Sequence, residues 1–170
     1  AFAISHNDKQ RAEDEAYPFT QLEESASPLR IAFLTSEATA SASESLINSL
    51  APVVDVALVG SDTSGKAVGQ YAFDQSGCET RLRLVTFEGV NGAGLGGYYT
   101  GLVDTGRFTL CAVDDRYAGA FGTGEDALTA GALAWLNEGL CPRSVAGSST
   151  TASNRGLRRG PEPIRATERP

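Results

Sequence analysis

The chain contains no methionine and a single histidine in 170 residues. Without methionine there is no initiator, so the expectation is a processed or excised piece of a longer protein. With one imidazole, any Ser/His/Asp relay would have to use His6, and nothing in the sequence places His6 near another candidate group. Basic residues are few: 14 Lys and Arg stand against 21 Asp and Glu, giving a net charge of −7 and a pI near 4.7. That balance argues against nucleic acid as a partner, because phosphate binding needs a basic surface. No apolar run approaches the length of a membrane span, and no basic-then-apolar leader opens the chain. The three cysteines, Cys78, Cys111 and Cys141, include no pair with metal-ligand spacing. Cys111 and Cys141 suit a bridge that pins a helix to a sheet, which would point to an oxidising compartment. Buried free thiols fit the sequence equally well.

The chemistry-bearing residues crowd between Ile31 and Gln70. Ile31 to Thr35 is short, apolar and β-rich, the pattern of a buried strand. It leads into Thr39-Ala-Ser-Ala-Ser-Glu44, after which Leu46, Ile47 and Leu50 recur at helical spacing until Pro52. Ser41 is thus placed at a helix N-terminus, beside unpaired N–H groups and the positive end of the helix dipole. Such a hydroxyl can be a plain cap, or a nucleophile whose oxyanion is stabilised by its surroundings. Val53 to Val59 reads as a second strand, and the turn Gly60-Ser-Asp-Thr-Ser-Gly65 presents Lys66, 25 positions after Ser41. A serine hydroxyl needs a base at neutral pH, and a neutral lysine can serve. Its pKa must then fall from about 10.4 to roughly 7 or 8, which burial among apolar neighbours can supply. Ala67 and Val68 are the expected apolar setting, and Gln70 is an uncharged group able to hold the amine in line.

These residues resemble the active-site segment of the carboxyl-terminal processing peptidases, or tail-specific proteases. The resemblance rests on Thr39-Ala-Ser-Ala-Ser-Glu44, Leu58-Val-Gly60, Thr63-Ser-Gly-Lys66 and Gln70. It implies Ser41 as nucleophile, Lys66 as general base, Gln70 as the residue that orients the base, and the Ala42 backbone N–H as half of an oxyanion hole. Some members instead orient the lysine with an acidic residue about eleven positions after the serine. Pro52 stands there, which closes that route. Ser64 replaces an aromatic found in many members. The resemblance covers only the C-terminal part of the usual catalytic domain, and the upstream peptide-binding PDZ module and second oxyanion donor have no counterpart.

Two rival motifs compete. Gly60 to Lys66 satisfies most of the phosphate-binding P-loop pattern, but position 67 is alanine where a Mg²⁺-binding Ser or Thr is required, and the residues that follow suit a strand. Gly92-Ala-Gly-Leu-Gly-Gly97 matches the dinucleotide fingerprint, yet Tyr98-Tyr-Thr-Gly101 is a poor helix start. Neither supports a cofactor, and Tyr98 and Tyr99 are expected to cover apolar surface near a cleft.

Elsewhere, Phe2 to Ile4 suits a strand end, residues 5 to 16 a loop or short helix, and Tyr17 to Leu22 a short strand. Thr80 to Phe87 alternates with period two, as a half-exposed antiparallel strand does, with Arg81 and Arg83 outward. Phe108 to Val113 is another apolar run, and Asp114-Asp-Arg116 an exposed turn. Glu125 to Asn137 is the clearest helix, with Gly139 ending it. From residue 144 to 170 the composition turns to Ser, Thr, Gly, Pro and Arg, a tail expected to be disordered.

The expectation is therefore an α/β protein, a mixed sheet with packed helices. Residues 1–143 would form the C-terminal portion of a Ser/Lys peptidase domain with a partial crotonase-like core, and 144–170 the tail. The implied activity is serine endopeptidase cleavage of protein or peptide substrates, in a periplasmic or secreted setting, with no metal and no cofactor. A non-catalytic peptide-binding or scaffold fragment is the alternative.

Overall fold

Val56 to Val59 is buried on both sides of its strand, and the fold grows outward from that fact. A computed structural model describes residues 1–115 and 120–141. The central strand β4 (Asp55–Gly60) lies between β3 (Arg30–Thr35) and β7 (Thr109–Ala112), both parallel to it. Parallel neighbours require crossover connections. One is helix α1 (Ala42–Leu50), between β3 and β4, and after β7 the chain returns as α2 (Ala127–Glu138). Strand alternation sorts the core into two halves. Val56 and Leu58 pack with Ile47 of α1, Tyr98, Leu102 and Phe108. Ala57 and Val59 face the other way, onto Ala132 and Trp135 of α2 and onto Cys111.

A second sheet is antiparallel, in the order β2 (Glu15–Tyr17), β1 (Phe2–Ser5), β6 (Arg81–Asn91), β5 (Val68–Asp74). One mixed sheet was the expectation; two separate sheets are present. The tight turn between β5 and β6 produces an antiparallel hairpin, whereas the helix between β3 and β4 enforces a parallel pair. The N-terminal strands then complete the hairpin sheet instead of extending the β3 sheet. Strand β2 covers Glu15–Tyr17 and not Tyr17 to Leu22, because it pairs only as far as β1 reaches. Strand β6 runs on to Asn91, past the predicted Phe87. Residues 98–101 contain no helix, so the glycine-rich stretch 92–97 lacks the element a dinucleotide needs. Tyr98 is fully buried in the core and Tyr99 is exposed, a split the sequence reading missed.

At the C-terminal side, Cys111 and Cys141 form a disulfide that ties the residues after α2 to β7. No helix is long and apolar enough to cross a membrane among the described residues. The expected disordered tail lies outside them.

Candidate active site

Ser41 is the N-cap of α1, where the strand-to-helix path turns sharply. Its backbone has φ 56° and ψ −110°, and it is the one non-glycine residue with positive φ among those described. Such a conformation costs on the order of 1–3 kcal/mol and persists only where the surroundings impose it. Ala40 and Ala42 flank it with the smallest side chains compatible with a helix start. The strain has a visible anchor. The Ser41 amide donates to Glu44 Oε2 at 2.7 Å, the backbone half of a capping box. The Glu44 amide approaches Ser41 Oγ in return, but loosely, without hydrogen-bond geometry. At the first helical position, the Ala42 N–H has no backbone partner among the described residues, as the first N–H groups of a helix generally do not.

Glu44 is fully buried, and it is the junction of the site. Besides Ser41 it accepts the Gly65 amide on Oε1 at 2.6 Å and the Lys66 amide on Oε2 at 2.9 Å. Bonds of 2.7 and 2.9 Å to one oxygen hold the backbone nitrogens of Ser41 and Lys66 within 5.6 Å of each other. A carboxylate is the suitable hub, because each of its oxygens accepts more than one donor. The loop that brings Lys66 there is itself closely packed. Gly65 has φ 87°, and a Cβ on it would meet the Tyr99 carbonyl oxygen at 2.5 Å, so no other residue fits. Asp62 accepts the amides of Thr63 and Val103 at 2.7 and 2.9 Å. The amides of Thr63, Gly65 and Lys66, which a P-loop would turn toward phosphate, are thus spent on the protein's own carboxylates.

Ser41 and Lys66 line one cavity of about 370 Å³, between α1 and the antiparallel sheet. Phe2, Phe19, Leu46 and Phe87 supply apolar wall. Lys66 itself is exposed at the rim, and its Nζ makes no hydrogen bond or ion pair among the described residues. Burial of the lysine among Ala67 and Val68 was the expectation. Ala67 is buried, but Lys66, just before β5, is exposed. Its side chain is not hydrogen-bonded to Ser41. Gln70 lies on β5 opposite Val85, next to a register shift at Gly69/Gln70. It is exposed and absent from the cavity lining, so the structure does not bring it together with the other two.

His6 bonds through Nδ1 to Asp14 at 3.1 Å and packs its ring near Tyr71 and Phe87. It is not among the residues that line the cavity.

Sequence reasoning quoted Glu44 without assigning it work, although Ser41-x-x-Glu44 is the capping-box pattern and would have located it. It passed over Ser45 and Ser49, which also line the cavity. The i, i+4, i+8 spacing from Ser41 was the available signal. Ser45 Oγ lies 3.2 Å from the hydroxyl of Tyr98, and burial pushes that phenol's pKa upward, which keeps it a neutral hydroxyl.

No family model matches the chain, and no curated protein matches it in sequence. Its fold is similar to that of a crystal structure described as a "putative S41 protease" from Bacteroides fragilis, with a TM-score of 0.63 and 22% sequence identity. The match covers 80% of this chain and 36% of that one, so the chain spans little more than a third of its structural neighbour. At this identity the likeness is one of fold: a mixed α/β arrangement with a parallel sheet, an antiparallel sheet and two helices.

Proposed function

We propose that the chain is part of a serine endopeptidase of the tail-specific type, with a crotonase-like catalytic core. In this reading Ser41 Oγ attacks the scissile carbonyl. Lys66 Nζ takes the hydroxyl proton and returns it to the leaving amine. The Ala42 N–H donates to the oxyanion that forms between these steps. Gln70 positions Lys66 once the segment between them adjusts. The observation that carries the proposal is the shared bond of Ser41 and Lys66 to Glu44 Oε2, which brings two residues 25 apart in sequence to one cavity. The backbone conformation of Ser41 adds to it, since strain of this kind concentrates at nucleophiles on sharp strand-to-helix turns. The fold likeness to a structure described as an S41 protease is consistent with the same chemistry. Lys66 at the cavity rim would be covered by an arriving peptide, and removal of water favours the neutral amine that the step requires. The Cys111–Cys141 bridge suits a periplasmic or secreted address.

The exposure of Lys66 and its separation from Gln70 favour a second reading, in which the segment binds peptide without cleaving it. Fluorophosphonate labelling separates the two. Labelling at Ser41, abolished in Ser41→Ala and slowed at least about 10³-fold in Lys66→Ala, is the expected result for a dyad. Peptide binding with no labelling of the wild-type chain would leave only the binding function.

A further inference from the structure

Two glycines shape the cavity beside Ser41. Gly69 of β5 and Gly89 of β6 both line it, in the layer between the antiparallel sheet and α1 where core side chains would otherwise meet. A Cβ on Gly89 would enter that space, 3.1 Å from the Phe2 ring and 3.5 Å from Ser45 Oγ. A Cβ on Gly69 would run into Phe87, whose ring covers that position. The rings on the walls are braced by others. Phe87 packs against Tyr71 and His6 at centroid distances of 5.2 and 6.1 Å, and Phe2 stacks on Tyr17 at 6.1 Å. The hydroxyls of α1 beyond Ser41 are turned away or occupied. Ser49 Oγ has less than 1 Å² of accessible surface, and Ser45 Oγ is paired with the Tyr98 hydroxyl. Past Ser41 and Lys66, the side chains around this space therefore offer apolar contact and no free hydrogen-bonding group.

We propose that this cavity receives the side chain of the substrate residue whose carbonyl Ser41 attacks, and that it selects a large apolar side chain there, phenylalanine or leucine over alanine or asparagine. The proposal rests on the peptidase reading, which identifies that carbonyl. Before attack, Ser41 Oγ stands about 3 to 3.5 Å from the carbonyl carbon. The residue's own Cα is one bond of about 1.5 Å further, so it lies within about 5 Å of the serine at the cavity. Size favours a large side chain. An apolar cavity of about 150 Å³ takes up benzene, and this one measures about 370 Å³. A methyl group would leave most of it unfilled and forgo the burial that a phenyl or isobutyl group gains. Chemistry disfavours a polar one. Asparagine has nearly the shape of leucine, but its amide would leave water for walls whose side chains supply no partner. Gly89 sets the size limit, because a side chain on it would point across the cavity toward Phe2 and Ser45.

The test reads binding, so that it does not depend on turnover. N-acetylated trialanyl peptides ending in Phe, Leu, Ala or Asn with a free carboxylate carry that last residue where the cleaved product would carry it. Calorimetric titration of the whole chain should give at least about tenfold tighter binding for the Phe and Leu peptides than for the Ala and Asn peptides. In Gly89→Val the Phe peptide should fall to within about threefold of the Ala peptide, whose own affinity stays as in the wild type and certifies the fold. Should that variant not fold, Leu46→Asp, at a half-exposed position of α1, puts a carboxylate on the wall, and the Phe and Leu peptides should again lose their advantage. Equal affinities for the Phe and Ala peptides in the wild-type chain, an Asn peptide that binds like the Leu peptide, an apolar preference untouched by both substitutions, or no binding of any peptide would overturn the assignment. Fluorophosphonate labelling of Ser41 without an apolar preference removes this pocket and leaves the hydrolase reading intact. An apolar preference that both substitutions abolish, without labelling, keeps the pocket and removes the hydrolase.

Discussion

At the scale of single residues, the molecule turns on one buried carboxylate. Glu44 takes three backbone N–H donors, two on one oxygen and one on the other, and these bonds fix both the Ser41 turn and the entry to Lys66. Glu44→Gln replaces one oxygen with an NH₂ group that must face a donor. At least one buried N–H then loses its partner, and hydrogen bonds to a charged acceptor become neutral ones. Together these should cost about 2 to 4 kcal/mol, or roughly 5–15 °C in Tm for a chain of this size. The reactivity of Ser41 toward a fluorophosphonate should also fall at temperatures where the variant is still folded, because the turn that presents Oγ has lost its anchor. A Glu44→Gln protein that melts and labels like wild type would show that the turn is held by something else. This residue also marks what the sequence could reveal. Ser41 at a helix start was legible from the strand pattern before it and the apolar spacing after it. The burial of Glu44 was not, since a Glu in the first helical turn is ordinarily exposed and favoured there by the dipole. Only the loop arriving from residues 60–66 buries it, and that is a tertiary event. The same limit explains Lys66. Lys66 lines the same cavity as Ser41, but the side on which its chain emerges depends on the local path into β5, which local sequence does not determine.

At the scale of elements, the two helices are specified differently. Helix α1 owes its start to the strained Ser41 turn, whereas α2 has an ordinary N-cap, with Asp126 accepting the Thr129 amide at 3.0 Å and its hydroxyl as well. The hydrogen bond from the Thr129 hydroxyl, followed by that from its amide, holds the Asp126 carboxyl below its usual value of 3.8. A depressed folded-state pKa stabilises above the unfolded value, and the benefit is lost as pH falls through the folded value. Asp126→Ala should therefore melt below wild type at pH 7, with the gap narrowing from about pH 4 downward. Asp126→Asn, which keeps an acceptor at the cap, should lie closer to wild type at neutral pH. A gap that stays constant from pH 7 to pH 2 would mean that the charge plays no part. Helix α2, expected over Glu125 to Asn137, is found at Ala127–Glu138: the apolar face and the terminal Gly139 located it, while Asp126, expected inside the first turn, is its N-cap. The sheets were less legible. Most strands were visible by alternation or by apolar run, but β2, the exposed Glu15–Tyr17, was not; which strands pair is decided by connections, and the N-terminal strands join the β5–β6 hairpin rather than β3.

At the scale of the molecule, one of the restraints that hold the sheets and helices together is covalent. The Cys111–Cys141 bridge spans 30 positions and encloses α2, so reducing it frees the helix that covers one face of the parallel sheet. A closed loop of that length stabilises by about 3–4 kcal/mol in the chain-entropy account. The loss should register first at Trp135, which is buried against that sheet together with Cys111. Native protein should expose one titratable thiol, the free and exposed Cys78, and three after reduction and unfolding. Reduction should lower the melting temperature, and red-shifted Trp135 emission should precede loss of β-sheet signal, because α2 can leave while β3, β4 and β7 remain paired. The Ser41 cavity lies between α1 and the other sheet, on the opposite side of β4 from α2. Labelling at Ser41 should accordingly survive mild reduction that already shifts the tryptophan. If reactivity and tryptophan emission are lost together, the two faces of the parallel sheet unfold as one unit, and the covalent tie is part of what holds the site.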